Sequence, residues 1–324
     1  MLKSIEIQDL RGIRQGSLAG FTELNVVVGP NHAGKSTILD AISLGAHPDP
    51  QKALVDLLSR RNVLEPGNWV VRRAFRAEPS QATIHVRTDR ADTGRLTTLV
   101  RKPPTATSDG SSLELQFVQT IHHKQEHFHE PAIPPPLGGI PNIRFLEQTI
   151  GHGPGFLPDL LTEVSERGLA KHAEDLVRAV IPELDKIENK SQKGQAVLYL
   201  HFPGVIHPVG LAGDGIAQLI KLVLELADIV GGIALLEEPE MHLHPAAMLQ
   251  TAKALHEATK RGIQIFLTTH SLDMIDHLLA AFHGPEIDQI SVFHVILKEG
   301  QLISSHLAGS EASLARTQIE DDLR

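Results

Sequence analysis

Cysteine is absent from all 324 residues. That excludes disulfide frameworks, thiolate metal sites and cysteine nucleophiles, and it fits a reducing compartment. Long apolar runs are absent as well: none approaches the roughly 18 residues that a membrane span needs. The opening MLKSIEIQDL alternates polar and apolar residues and lacks the apolar core of a secretory signal. A soluble, cytoplasmic chain with no membrane partner is the expectation. Nor is there an excess of positive charge; the formal net charge of -9 argues against a nucleic-acid footprint spread over the whole chain.

What is present is ordinary for a packed protein. Hydrophobic residues make up 41% and charged residues 21%, and the length suits one large domain or two small ones at about 150 residues each. Charge is spread unevenly. Residues 60–102 carry ten Lys/Arg (Arg60, Arg61, Arg72, Arg73, Arg76, Arg87, Arg90, Arg95, Arg101, Lys102) against four acids, a local +6 that leaves -15 elsewhere. Contacts to DNA phosphates and a merely solvated, arginine-rich sheet face are both open readings of that segment.

Periodicity organises the chain. Ile5 and Ile7 alternate with Glu6 and Gln8 as in a half-buried strand. The β-branched run Leu24-Asn25-Val26-Val27-Val28 ends at Gly29-Pro30 and reads as a buried strand, and residues 37–45 follow with helical spacing. Thr83–Arg87 and Leu113–Phe117 alternate as antiparallel strands do, with loop signals at 102–112 and a proline- and glycine-rich connector at 130–141. Residues 156–188 turn helical, Ala196–Phe202 reads as a strand, and 216–230 is apolar nearly all round, as a buried helix is. Ile233–Leu236 and Ile263–Leu267 are two more buried strands, and 287–297 with 301–306 form a closing hairpin around Glu299-Gly300.

Chemistry concentrates at three places. Gly29-Pro30-Asn31-His32-Ala33-Gly34-Lys35-Ser36-Thr37 matches the phosphate-loop pattern GxxxxGK(S/T), placed after a buried strand and opening a helix. Glycines let backbone N–H groups close on phosphate oxygens, the helix start adds positive potential, Lys35 neutralises phosphate charge, and the Ser36 hydroxyl suits Mg²⁺. Ile233–Leu236 delivers Glu237 and Glu238 at a strand end, where one carboxylate can hold Mg²⁺ through water and the other can orient or deprotonate an attacking water. His270 follows the strand Ile263–Leu267, and Ser271 is placed to cap the next helix.

Together these residues resemble the ATP-binding-cassette (ABC) class of ATPases, particularly the soluble branch that includes the RecF, SMC and OLD-family proteins, and the likeness covers almost the whole chain. Leu211-Ala212-Gly213-Asp214-Gly215, ahead of an apolar helix, looks like the signature loop of that class. Glu238-Pro239-Glu240-Met241-His242-Leu243-His244-Pro245 is similar to the EPExxLHP form of the soluble branch. The resemblance implies ATP and Mg²⁺ as ligands and a head-to-tail homodimer in which each phosphate loop faces the partner's signature loop, with Ala212, Gly213, Asp214 and Gly215 approaching the γ-phosphate. It further implies a lobe-linking glutamine, for which Gln148 is the match, and a basic residue near the nucleotide, matched by Arg11; an ordinary surface arginine is the alternative there.

Three positions depart from the family pattern. Ala212 stands where a serine is common, Glu237 where an aspartate is usual, and His32 where glycine is frequent, which is tolerable if His32 avoids positive φ. The cluster His122-His123-Lys124-Gln125-Glu126-His127-Phe128-His129 invites a zinc reading, but its proline-rich flank favours a solvated loop.

The sequence thus reads as an α/β P-loop NTPase of ABC-ATPase-like, two-lobe architecture: a mixed central sheet, an antiparallel β insertion and a helical lobe. Residues 1–45 and 228–324 form the nucleotide-binding lobe, 46–144 the strand-rich insertion and 145–227 the helical signature lobe. The expected function is Mg²⁺-dependent ATP hydrolysis with dimer closure as a switch, in DNA maintenance or phage defence with a partner effector protein. The alternatives are a nucleotide-gated interaction module with little turnover and a transporter cassette.

Overall fold

The computed structural model describes residues 1–61, 81–89, 93–101, 113–121, 124–128, 142–146, 156–241, 243–319 and 322–323. The chain begins with β1 (Leu2–Leu10), which buries Ile5 and Ile7 and exposes Glu6 and Gln8, and β2 (Ile13–Ala19) returns antiparallel to it. All five residues of β3 (Leu24–Val28) are buried. It leads into α1 (Lys35–Ala46) and then α2 (Pro50–Arg60), where Asp49 caps the N-terminus by accepting from the N–H groups of Gln51 and Lys52.

Strands β4 (Gln81–Thr88), β5 (Thr93–Arg101), β6 (Leu113–Ile121) and β7 (Lys124–Phe128) continue the antiparallel run outward from β1. After the short β8 (Ile143–Leu146) come α3 (Phe156–Glu166) and α4 (Ala170–Val180), then β9 (Lys186–Gln192), β10 (Gln195–Phe202) and β11 (Val205–Pro208). Next are α5 (Asp214–Ala227), β12 (Ile233–Glu237), α6 (Pro245–Thr259), β13 (Gln264–Thr268) and α7 (Leu272–Ala281). The hairpin β14 (Ile290–Lys298) and β15 (Gln301–Ala308) precedes the short α8 (Gly309–Leu314).

Twelve strands form one sheet in the order β7-β6-β5-β4-β1-β2-β15-β14-β3-β13-β12-β8. Strands β14, β3, β13, β12 and β8 run parallel, while β1, β2 and β4–β7 are antiparallel. The join between the halves is thin: β15 meets β2 through the Gln301–Gln15 pair. The fold is therefore the mixed α/β architecture expected of a P-loop NTPase.

Alternation explains why the central strands are mostly apolar on both faces. Leu24, Val26 and Val28 of β3, Ala234 and Leu236 of β12, and Ile265 and Leu267 of β13 face the core shared with α3–α7. Val27, Leu235 and Phe266 face the opposite core, closed by α1 and α2. A strand covered on both sides loses its polar face, so periodicity alone does not distinguish it from a buried helix. The segment 145–227 is less purely helical than its periodicity suggests, since β11, β10 and β9 form a second, antiparallel sheet packed against α3. Among the described residues no helix is long and apolar enough to cross a membrane.

Gln264 ties the N-terminus to this frame. Its Oε1 accepts from Leu2 N at 2.8 Å, and its Nε2 donates to Leu2 O at 2.9 Å and Thr22 O at 2.8 Å, all in a buried setting. Replacing it leaves buried backbone groups unpaired, so Gln264→Leu is expected to cost ~2–4 kcal/mol, measured by chemical denaturation with an unchanged m-value.

Candidate nucleotide site

The phosphate loop occupies the C-terminal end of β3, the position at which open parallel sheets present ligands. Gly29 has φ 144°, and a Cβ there would lie 2.2 Å from the Val295 carbonyl oxygen, so only glycine fits. Gly34, at φ 91°, opens α1, whose first N–H groups receive no side-chain cap. Those donors remain available to an anion. His32 corrects the sequence expectation: it does take positive φ, at 65°, and its side chain is exposed. The loop must curl its N–H groups to one side, and histidine is among the few non-glycine residues enriched in that left-handed region.

Lys35 is buried and donates from Nζ to Gly29 O at 2.9 Å and Pro30 O at 3.1 Å. Burial lowers its pKa, opposed by the negative charges of Glu238, Glu237 and Glu240. The ammonium is thus held in reserve against loop carbonyls at a desolvation cost that an incoming anion would relieve.

Parallel pairing of β12 with β13 sets Glu237 opposite Thr268. Ser36 Oγ donates directly to Glu237 Oε1, so a hydroxyl from the loop and a carboxylate from the neighbouring strand end meet. Two hard oxygen donors fit Mg²⁺, which takes few protein ligands and retains part of its hydration shell. The next residue, Glu238, has φ 50° and donates its N–H to Thr268 O at 2.9 Å. This kink turns its carboxylate towards His270, whose Nε2 lies 3.3 Å from Glu238 Oε1. Ser271, as its position in the sequence implies, caps α7 by accepting from Met274 N. Glu240 braces the same corner: its Oε1 accepts from Thr269 Oγ1 at 2.6 Å and from His270 N at 3.0 Å.

Arg11, Asn31, His32, Ala33, Gly34, Lys35, Ser36, Thr37, Glu238 and His270 line one cavity of about 550 Å³. Residues 211–215 are not part of that lining. Leu211 is 77% exposed, and Gly213, at φ 84°, opens α5 with no side-chain cap on the helix. Ala212 packs against the core rather than facing the loop. Gln148, His122, His123, His129 and His242 lie outside the described residues, as do Arg72, Arg73, Arg76, Arg90 and Lys102. Among the described residues no group of three or more His, Asp or Glu could hold a metal ion.

An ionic cluster behind the loop was not anticipated. The Asp40 side chain, on α1, is 0% exposed, and it accepts from Arg11, Arg60 and Arg61. Arg61 Nη1 also reaches Glu237 Oε2 at 3.1 Å, and the Arg60 guanidinium lies 3.3 Å from the centre of the Phe145 ring. Burial lowers the Arg60 pKa; at Arg61 burial acts in the same direction, but Asp40 and Glu237 more than offset it and raise the pKa. The available signal was a lone carboxylate between Leu39 and Ala41 on an apolar helix, since a buried charge demands partners.

The same geometry places four cations of the basic segment. Arg60 and Arg61 turn inward to Asp40, Arg87 pairs with Glu6 at 2.9 Å, and Arg95 is fully buried, donating to His47 O, with its pKa pushed down to about 10 by desolvation. Arg60, Arg61 and Arg95 are held inside the chain, whereas Arg87 stays 57% exposed on the sheet.

The fold and the loop define a class: an α/β P-loop NTPase with the fold of SMC head domains. A family model described as an AAA ATPase domain matches residues 157–275, and one described as a protein of unknown function (DUF2813) matches residues 1–52. The crystal structure of an SMC head bound to the C-winged helix domain of ScpA superposes with a TM-score of 0.59 at 14% identity, covering 96% of this chain and 99% of that one. The SMC head domain from Thermotoga maritima gives a TM-score of 0.54 at 15% identity, covering 95% and 98%. The chain belongs to the same family as the uncharacterized protein MJECL11 of Methanocaldococcus jannaschii, to which it is 34% identical over 114 residues, 35% of this chain and 98% of that protein.

Because the Lys35 ammonium is buried, Lys35→Met is expected to leave the nucleotide-free melting temperature equal to or above wild type, while abolishing the rise that Mg-ATP produces. The pH sign follows from the lowered pKa. Between the folded and unfolded pKa values the unfolded chain binds more protons, so this group's contribution to stability rises with pH across that window and the Met variant loses that slope. Thermal melts at several alkaline pH values, with and without Mg-ATP, check both statements.

Proposed function

We propose that the chain binds and hydrolyses ATP with Mg²⁺ and uses ATP-driven closure of a homodimer as a switch for a partner effector protein in the cytoplasm. One observation carries this reading: the cavity is lined by the loop, Glu238 and His270, while residues 211–215, with Leu211, Gly213 and Asp214 exposed, are not part of that lining. A second copy could present its Gly213 and Gly215, with the uncapped start of its α5, to the γ-phosphate side of the first. In such a sandwich the lobe of residues 1–45 and 228–324 carries the nucleotide, 145–227 carries the signature loop, and 46–144 is an insertion on the sheet.

Bound Mg²⁺ would supply charge neutralisation at the β- and γ-phosphates, held through Ser36, Glu237 and, from the family pattern, Gln148. Lys35 would swing from the Gly29 and Pro30 carbonyls to the phosphates, and Arg11 would line the nucleotide's flank. Glu238 would orient and deprotonate the attacking water, with His270 donating to the γ-phosphate or to that water. The SMC head structure carrying a winged-helix domain of ScpA supports an effector docked on such a head. DNA maintenance or phage defence is the setting in which the soluble branch places a switch of this kind. A second reading, a nucleotide-gated module with little turnover, is favoured by the hold of Arg60 and Arg61 on Glu237.

Light-scattering mass with Mg-ATP tests the proposal. Glu238→Gln should accumulate as a stable dimer, while wild type dimerises transiently and releases phosphate. If both proteins bind ATP and remain monomeric, the composite site is wrong.

A further inference from the structure

Two arginines follow one another at the end of α2, yet they are held differently. Arg60 contacts Asp40 closely, stacks on Phe145 and reaches Glu237 only at 3.5 Å. Arg61 divides its fork between two carboxylates. Nη2 lies 3.3 Å and 3.4 Å from the two Asp40 oxygens, and Nη1 lies 3.1 Å from Glu237 Oε2 and 3.4 Å from Oε1. Asp40 is fully buried and gripped by Arg11 and Arg60 as well, so it is a fixed anchor, whereas Glu237 is part-exposed at the rim. The Arg61 Nε has no hydrogen-bond partner among the described residues, so the side chain is tethered through its terminal nitrogens alone.

We propose that Arg61 is a resident counter-cation of the metal-binding carboxylate: it holds Glu237 while the site is empty of metal, and loading of Mg²⁺ requires the guanidinium to release Glu237 and fall back on Asp40. The inference rests on the reading of Glu237 as a metal ligand. A guanidinium and a divalent cation compete for the same oxygens, and both act at short range in a partly desolvated corner where charge is weakly screened. Arg61 thereby sets the metal concentration at which the loop becomes competent. Asp40 makes the exchange reversible, because the displaced cation keeps a buried partner and is not expelled into solvent.

Mn²⁺ is the probe, followed by electron paramagnetic resonance on the full chain with saturating ADP. Arg61→Gln should lower the half-saturating Mn²⁺ concentration about 5–10-fold, and Arg61→Met, which keeps the aliphatic stem, should move with it. Arg61→Lys, which retains the charge but not the fork that spans both carboxylates, should fall between wild type and the neutral variants. Unchanged or weaker Mn²⁺ binding in both neutral variants overturns the proposal. Glu237→Gln, measured in parallel, separates the two readings. If it leaves Mn²⁺ affinity untouched, Glu237 is no metal ligand and the parent reading falls together with this one. If it weakens Mn²⁺ while the neutral Arg61 variants do not tighten it, the counter-cation alone is refuted.

Discussion

A carboxylate with no access to water, Asp40, dictates the arrangement around it. Burying an ionised group costs several kcal/mol unless it is paired and hydrogen-bonded, and α1 places this one beneath the phosphate loop. Three guanidiniums answer it, from the β1–β2 turn (Arg11), from the last residue of α2 (Arg60) and from the residue beyond it (Arg61). The compensation therefore draws two separate pieces of chain, the β1–β2 turn and the end of α2, onto α1. Through Arg60 it reaches Phe145 of β8, and through Arg61 it reaches Glu237 at the tip of β12. Glu237 is thus neighbour to a charge network whose anchor lies inside the protein.

The loop itself is held by shape more than by charge. Gly29 passes so close to the Val295 carbonyl that no side chain fits, which ties the loop to β14, a strand formed more than 250 residues later. Lys35 is folded onto the loop's own carbonyls, and the start of α1 carries no side-chain cap. Each of these features raises the energy of the unliganded state slightly and is relieved by the same kind of ligand, an anion with a divalent cation. Positive φ at His32 and Glu238 belongs with them, since backbone strain of ~1–3 kcal/mol collects where function requires a particular direction.

Residues 211–215 and the cavity without them are two aspects of one geometric fact. The start of α5, preceded by a glycine at φ 84°, has no side-chain cap among the described residues. In the proposed dimer that unmet capacity is what makes closure depend on nucleotide.

Local information carried the two apolar strands, the glycine spacing of 29–37, the paired Glu237 and Glu238, and the helix cap at Ser271, because each depends on residues adjacent in the chain. The paired strands, read from the sequence as Leu24–Val28 and Ile263–Leu267 and found at Leu24–Val28 and Gln264–Thr268, were legible for the same reason: burial on both faces leaves a short, mostly apolar run. Of the short sheet β9–β11 the central strand was legible, at Ala196–Phe202; its two partners, the brace that Glu240 makes to His270, and the convergence of Arg11, Arg60 and Arg61 on Asp40 were not. Those contacts join residues that are close only after the sheet has formed, and no spacing rule encodes a charge pair between a turn, a helix end and a helix interior. The chain by itself determined what kind of ligand the loop can take, since backbone N–H groups, a lysine and a hydroxyl suffice for that. Only the tertiary structure decided which arginines are engaged inside and which carboxylate they hold, because burial, not sequence distance, sets the cost of leaving a charge alone.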